Sequence, residues 1–154
     1  MREATADDLE GIVDVHLASW DAAKDGLAIT SRRSRDERVR QWTEVLSSDS
    51  TTLVAEDSDG AIRGFLCFGP SRDGDRQGEV EIYTLYVHPA WWRQGVGSAL
   101  MREVPDPGVP ISLWTSEGSA QARAFYASHG FHPDGATEAG HHVPQIRLVR
   151  PGRR

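Results

Sequence analysis

The stretch that most constrains this chain runs from Glu79 to Met101, EVEIYTLYVHPAWWRQGVGSALM. It reads as a buried strand, a turn marked by Pro89, a loop carrying Gly95 and Gly97, and a helix propagated by Ser98-Ala99-Leu100-Met101. A strand, a glycine loop and a helix in that order offer a row of backbone N–H groups at the positive end of the helix dipole, which suits a phosphate. The two glycines are expected where the backbone approaches a ligand closely. Trp91 and Trp92 stand where the chain enters the loop.

Around this stretch, 154 residues suffice for one domain, 1–154, with a core that needs no disulfide or metal. The formal charge of −6 argues against non-specific nucleic-acid binding, which needs a basic face. The single cysteine, Cys67, lies in the apolar run Phe65–Phe68, where a packed thiol is expected, and it fits a reducing compartment. No apolar run approaches the roughly 20 residues of a membrane span, and the start MREATADDLE is too acidic and polar for a signal peptide. A cytoplasmic protein without a membrane or nucleic-acid partner is therefore expected.

Taken in order, Arg2–Thr5 predicts a short strand, and Thr5 with Asp8 predicts a helix start. Leu9, Ile12, Val13, Val15, His16 and Trp20 form a helical stripe, with His16 expected in the core. Asp21–Thr30 reads as a loop. Ser31–Ser34 opens a second helix carrying Val39, Trp42, Val45 and Leu46, its arginines on a solvated face. Strands are expected at Thr51–Ala55 and Ala61–Phe68, joined by a tight turn at Asp57–Gly60. A charged turn follows at Pro70–Gly78. Two prolines, Pro105 and Pro107, end the helix that follows the glycine loop. Ile111–Trp114 predicts a strand, Ser119–Ser128 a helix stopped by Gly130, Asp134–Gly140 a loop, and Gln145–Arg150 a last half-buried strand. The order β-α-α-β-β-β-α-β-α-β-β describes an α/β fold, a mixed sheet with helices on its faces.

YTLYVHPAWWRQGVGSAL resembles the acyl-CoA-binding motif of the GCN5-related N-acetyltransferases, the GNAT family: Gln or Arg, two residues, Gly, one residue, Gly or Ala. SLWTSEGSAQARAFYASHGF resembles the family's last motif through Ala122, Phe125-Tyr126 and Gly130-Phe131. The resemblance implies a mostly antiparallel sheet with two central strands splayed apart. It also implies acetyl-CoA as acyl donor, no metal, and transfer to a primary amine of a small molecule or peptide by direct attack in a ternary complex. Family members are often dimers, so a homodimer is one implied state.

Carried onto this sequence, the resemblance gives pantetheine the backbone of Leu85, Tyr86 and Val87. It gives the pyrophosphate the loop of Trp92, Arg93, Gln94, Gly95, Val96, Gly97 and Ser98, with Ser119 near the pantetheine. Tyr126 matches the tyrosine that protonates the departing thiolate, a task suited to a phenol because it titrates near a thiol. Glu81, on a central strand among apolar residues, is the candidate general base, acting directly or through a water. Trp20, Tyr83, Trp114 and His141 are candidates to border the acceptor. His141-His142 has no carboxylate or cysteine at ligand spacing, so no metal is expected there. Two positions depart from the pattern. Trp92 replaces the motif's first Gln or Arg, which leaves the phosphates to backbone amides and Arg93, and Ser119 replaces an asparagine. A non-catalytic acyl-CoA sensor is the rival reading. A Rossmann dinucleotide site is excluded, because the loop lacks the third glycine and follows a hairpin.

Overall fold

The computed structural model describes residues 1–24, 34–139 and 143–152. The sequence expectations at residues 25–33, and those for His141 and His142, lie outside these. The elements are β1 Arg2–Glu3, α1 Leu9–Lys24, α2 Arg35–Leu46, β2 Thr51–Glu56, β3 Ile62–Pro70, β4 Val80–Val87, α3 Val96–Glu103, β5 Ile111–Ser116, α4 Ala120–Ser128, β6 His132–Glu138 and β7 Gln145–Arg150. This is the predicted order. Seven strands form one mixed, mostly antiparallel sheet in the order β1-β2-β3-β4-β5-β7-β6. Among the described residues no helix is long and apolar enough to cross a membrane. The chain divides into two compact units, Met1–Cys67 with Thr84–Val104, and Phe68–Tyr83 with Pro105–Arg154.

In the first unit, the start of α1 is set by Asp8. Its carboxylate accepts the Thr5 N–H at 2.8 Å and two Arg2 N–H groups at 2.7 and 2.8 Å. The helix then buries Ile12, Val13 and Val15, each no more than 1% exposed. Beneath them lies an aromatic cluster. The His16 ring stacks on Tyr86 at 4.7 Å, and Trp42 meets Phe65 edge-on at 4.8 Å. Trp42 also donates its indole N–H to His16 Nδ1 at 3.0 Å, inside the core. His16 and Trp42 are thus core residues, as the helical stripes predict. Burial holds the Tyr86 hydroxyl above the usual phenol range, with Arg38 pulling weakly the other way. Tyr86 therefore stays protonated near neutral pH.

Two sequence expectations are corrected here. Asp21–Lys24 continues α1 and does not open a loop. Arg38 is buried, its guanidinium donating to Gln41 at 2.8 Å, so one arginine of α2 does not lie on a solvated face.

In the second unit, β5 pairs antiparallel with β7 along its whole length, from Ile111↔Arg150 to Ser116↔Gln145. Alternation then sorts the side chains into two faces. Ile111, Leu113, Ile146 and Leu148 make an apolar face. Ser112, Trp114 and Arg147 make a polar one. The parallel pairing of β4 with β5 runs over Val80↔Ile111, Glu81↔Ser112 and Ile82↔Leu113, while β4 goes on to Val87 and β5 to Ser116. β6 extends through Asp134–Glu138, where the sequence predicts a loop. Gly135 takes φ 95° and the register with β7 shifts between Pro133 and Thr137, a bulge that carries strand pairing across a turn-prone segment.

Trp42→Phe keeps most of the ring volume but removes the donor to a buried His16 nitrogen. It is expected to cost about 1–3 kcal/mol. Urea denaturation of the two proteins checks this.

Candidate active site

The central strand ends at Val87, and the chain is turned immediately by Pro89. His88 Nδ1 accepts the Ala90 N–H at 3.1 Å, capping a short 3-10 turn over Pro89–Trp91. Pro89 suits that turn because its fixed φ is already helical. The loop then takes two left-handed residues, Arg93 at φ 62° and Gly95 at φ 80°, before α3 begins at Val96. Apart from its chain neighbours, no heavy atom of the described residues lies within 4 Å of a Cβ built on Gly95. Its glycine is therefore required by backbone conformation and not by crowding from the protein. Arg93 adopts the same region with a side chain, a strained state that persists only where its surroundings hold it. Val96 and Gly97 open the helix, where backbone N–H groups have no intrahelical acceptor.

What holds this loop is the carbonyl oxygen of Val87. It accepts the Ser19 hydroxyl at 2.9 Å and the Trp92 indole N–H at 2.7 Å. Trp92 is thus a clasp between loop and strand, although its ring is 45% exposed. The side chain of Tyr86 belongs to the aromatic cluster, stacked on His16 and tilted against Phe65. Trp20 is half-buried on α1 in this same unit.

The second unit holds Glu81, Tyr83, Trp114, Ser119 and Tyr126. Glu81 is 1% exposed, a carboxylate inside the fold. Such a charge needs a partner. Arg72 provides it, donating its main-chain N–H to Oε1 at 2.9 Å and its Nη2 to Oε2 at 2.8 Å. The Arg72 guanidinium lies 4.2 Å over the Tyr83 ring, and the Tyr83 hydroxyl donates to the Pro70 carbonyl. Gly69 is needed here, since a Cβ would fall 2.7 Å from the Tyr83 oxygen. Ser119 caps α4, its hydroxyl oxygen accepting the Ala122 N–H at 3.2 Å, which leaves its own O–H available as a donor. Tyr126 is half-buried near the end of α4, edge-on to Phe125 and to Phe131.

Trp114 is engaged by charge. Its indole N–H donates to Asp73 at 3.0 Å, and Arg147 sits 5.5 Å over its ring. Arg147, 5% exposed, also pairs with both oxygens of Asp75 at 2.7 and 2.6 Å and with Asp134 at 2.8 Å. The Arg147 guanidinium holds the Asp75 carboxyl down from 3.8 to about 2, with partial desolvation opposing. Burial alone would raise Asp134, but the Ala136 N–H and the Arg76 and Arg147 guanidiniums outweigh it and hold that carboxyl below the usual range.

The sequence reading missed Arg72 as the partner of Glu81. It also read the charges of Pro70–Gly78 as an ordinary turn. The alternation RDGDR facing a strand arginine was the available signal, but pairing across such distances is not visible locally.

The sequence pattern described as "Acetyltransferase (GNAT) domain" matches residues 48–133. The chain is 30% identical to YuaI of Bacillus subtilis (strain 168), an uncharacterized N-acetyltransferase, over 99% of this chain and 90% of that one. The fold resembles a GCN5-related N-acetyltransferase from Kribbella flavida, with TM-score 0.75 and 24% identity over 97% and 95% of the two chains. It also resembles the PaiA N-acetyltransferase of Thermoplasma acidophilum, solved in complex with coenzyme A, with TM-score 0.75 and 18% identity over 97% and 96%. The chain belongs to the GNAT family and is an N-acetyltransferase. Its family uses acyl-CoA as donor.

Because its folded value lies below its unfolded one, Asp75 adds stability that is present above about pH 4 and is lost as pH falls through about 2. Asp75→Asn should be less stable than the parent at pH 7, with the gap shrinking as pH is lowered across that window. Denaturant unfolding at pH 7, 4 and 3 checks this.

Proposed function

We propose that this chain transfers an acetyl group from acetyl-CoA to a primary amine of a small molecule or peptide, by direct attack in a ternary complex. One observation carries the reading of the donor site. A loop with left-handed residues at Arg93 and Gly95, clasped to Val87, delivers the opening N–H groups of α3 where a pyrophosphate is best met. In that reading Arg93–Ser98 hold the phosphates, and the amides of Leu85 to Val87 pair with the pantetheine. The short parallel pairing of β4 with β5 supports the second assignment. Because Ser19 and Trp92 already use the Val87 carbonyl, that residue contributes its N–H. The coenzyme A bound to the Thermoplasma protein is further support. The reading treats 1–154 as one acyltransferase domain, for which the near full-length match to the Bacillus protein speaks. A cytoplasmic setting fits a chain whose one cysteine is buried and free.

The chemistry needs a neutral amine, a polarised thioester carbonyl and a protonated thiolate. A β4 amide at or near Leu85 polarises the carbonyl. The amine attacks, the C–N bond forms as the C–S bond breaks, and Tyr126 gives its hydroxyl proton to the departing sulfur. Trp20, Tyr83 and Trp114 are the described candidates to meet the acceptor, and His141, the fourth candidate, lies outside the described residues.

Glu81 is the candidate base, and its pairing with Arg72 favours a second reading in which the carboxylate anchors the Ser71–Gly78 segment and water takes the proton. The two readings separate by mutation. A base role predicts that Glu81→Gln lowers kcat at least ~100-fold while Arg72→Ala leaves or raises it. An anchoring role predicts that both variants lose stability and activity together.

Tyr126→Phe should lower kcat by at least ~100-fold with coenzyme A affinity nearly unchanged. Free-thiol release over an amine panel measures it. Turnover within about twofold of wild type contradicts the general-acid role.

A further inference from the structure

We propose that Arg63 supplies the phosphate-binding charge that the loop lacks at Trp92. The inference rests on the reading of Arg93–Ser98 as a phosphate cradle, and it adds a residue from a different element, β3.

Arg63 is fixed at both ends. Its carbonyl accepts the His88 N–H at 2.7 Å, which ties its backbone to the residue that caps the turn. Its guanidinium carbon lies 4.2 Å over the Trp91 ring. A guanidinium stacked this way keeps its flat face on the indole and its N–H edge available for a planar, two-point contact. Its Nε is buried and has no hydrogen-bond partner among the described residues.

The place of this cation matters more than its presence. Arg63 lines a cavity of about 210 Å³ together with Gln94, Gly95, Val96 and Ala99, which belong to the loop and to the first turn of α3. A positive side chain beside the positive end of a helix is unfavourable without an anion. The carboxylate on the same cavity, Glu56, is committed to Arg2 at 3.1 and 3.2 Å. The cavity is smaller than the roughly 300–1,000 Å³ of whole-ligand sites, so it suits a phosphate group and not a nucleoside. The two tryptophans then divide the work. Trp92 spends its N–H on Val87, and Trp91 orients Arg63.

Coenzyme A offers two phosphate sources, its pyrophosphate and its 3′-phosphate. Calorimetric titration of wild type, Arg63→Gln and Arg63→Lys with coenzyme A and with dephospho-coenzyme A tests the proposal and separates them. Arg63→Gln is expected to weaken coenzyme A binding ~10-fold or more, and its binding should depend less steeply on salt. Arg63→Lys keeps the charge but not the two-donor edge, so it should recover part of the loss. It also decides the matter if the glutamine variant does not fold. An equal loss for both ligands assigns the pyrophosphate, and a loss confined to coenzyme A assigns the 3′-phosphate. Wild type that binds coenzyme A, with folded variants within twofold of it, overturns this inference alone. No binding by wild type overturns the cradle reading and this inference with it.

Discussion

A carbonyl oxygen has two lone pairs, and at Val87 both are taken. Ser19 on α1 and Trp92 in the loop donate to it from different directions, so the end of β4, the first helix and the glycine loop are tied at one atom. The strained backbone at Arg93 can then persist, because the residues before it are held and α3 fixes those after it. A loop set in this way is shaped before any ligand arrives, which lowers the ordering cost of binding. The same atom gives Trp92, at the entrance to the loop, an inward hydrogen-bond partner.

The second unit is organised by charge where the first is organised by rings. One sheet face is apolar and closes a core around Ile111, Leu113 and Leu148. The other carries Glu81, Trp114 and Arg147, each met by a side chain of the Arg72–Asp75 segment. Burying a carboxylate as deeply as Glu81 is costly unless it is paired and hydrogen-bonded, and Arg72 does both through main chain and side chain. That pairing also bears on chemistry, since both carboxylate oxygens of Glu81 already accept hydrogen bonds from Arg72.

Where one local pattern decided the outcome, the sequence was informative. Gln145–Arg150 alternates cleanly and is a strand over those bounds. Ser119 and Gly130 bracket α4 as cap and stop. The loop at Gly95 was legible because strand, turn and helix signals stand in one continuous stretch. Elsewhere the deciding partner lies far along the chain. Asp134 looked like the start of a loop, yet Arg76 and Arg147 hold its carboxylate and β6 continues through a bulge. Arg63 carried no motif at all, and its meaning comes from Trp91 beneath it. Gly95 was read as a point of close ligand approach, and its left-handed φ is a requirement for glycine that the backbone imposes by itself.

The most direct test of the account is a crystal structure of the chain with coenzyme A. The account predicts pyrophosphate oxygens within ~3 Å of backbone N–H groups in the Gly95–Ser98 segment, with the Trp92 indole still bonded to the Val87 carbonyl. Phosphates bound away from that segment, or a Trp92 ring released from Val87 to contact the ligand, would contradict it.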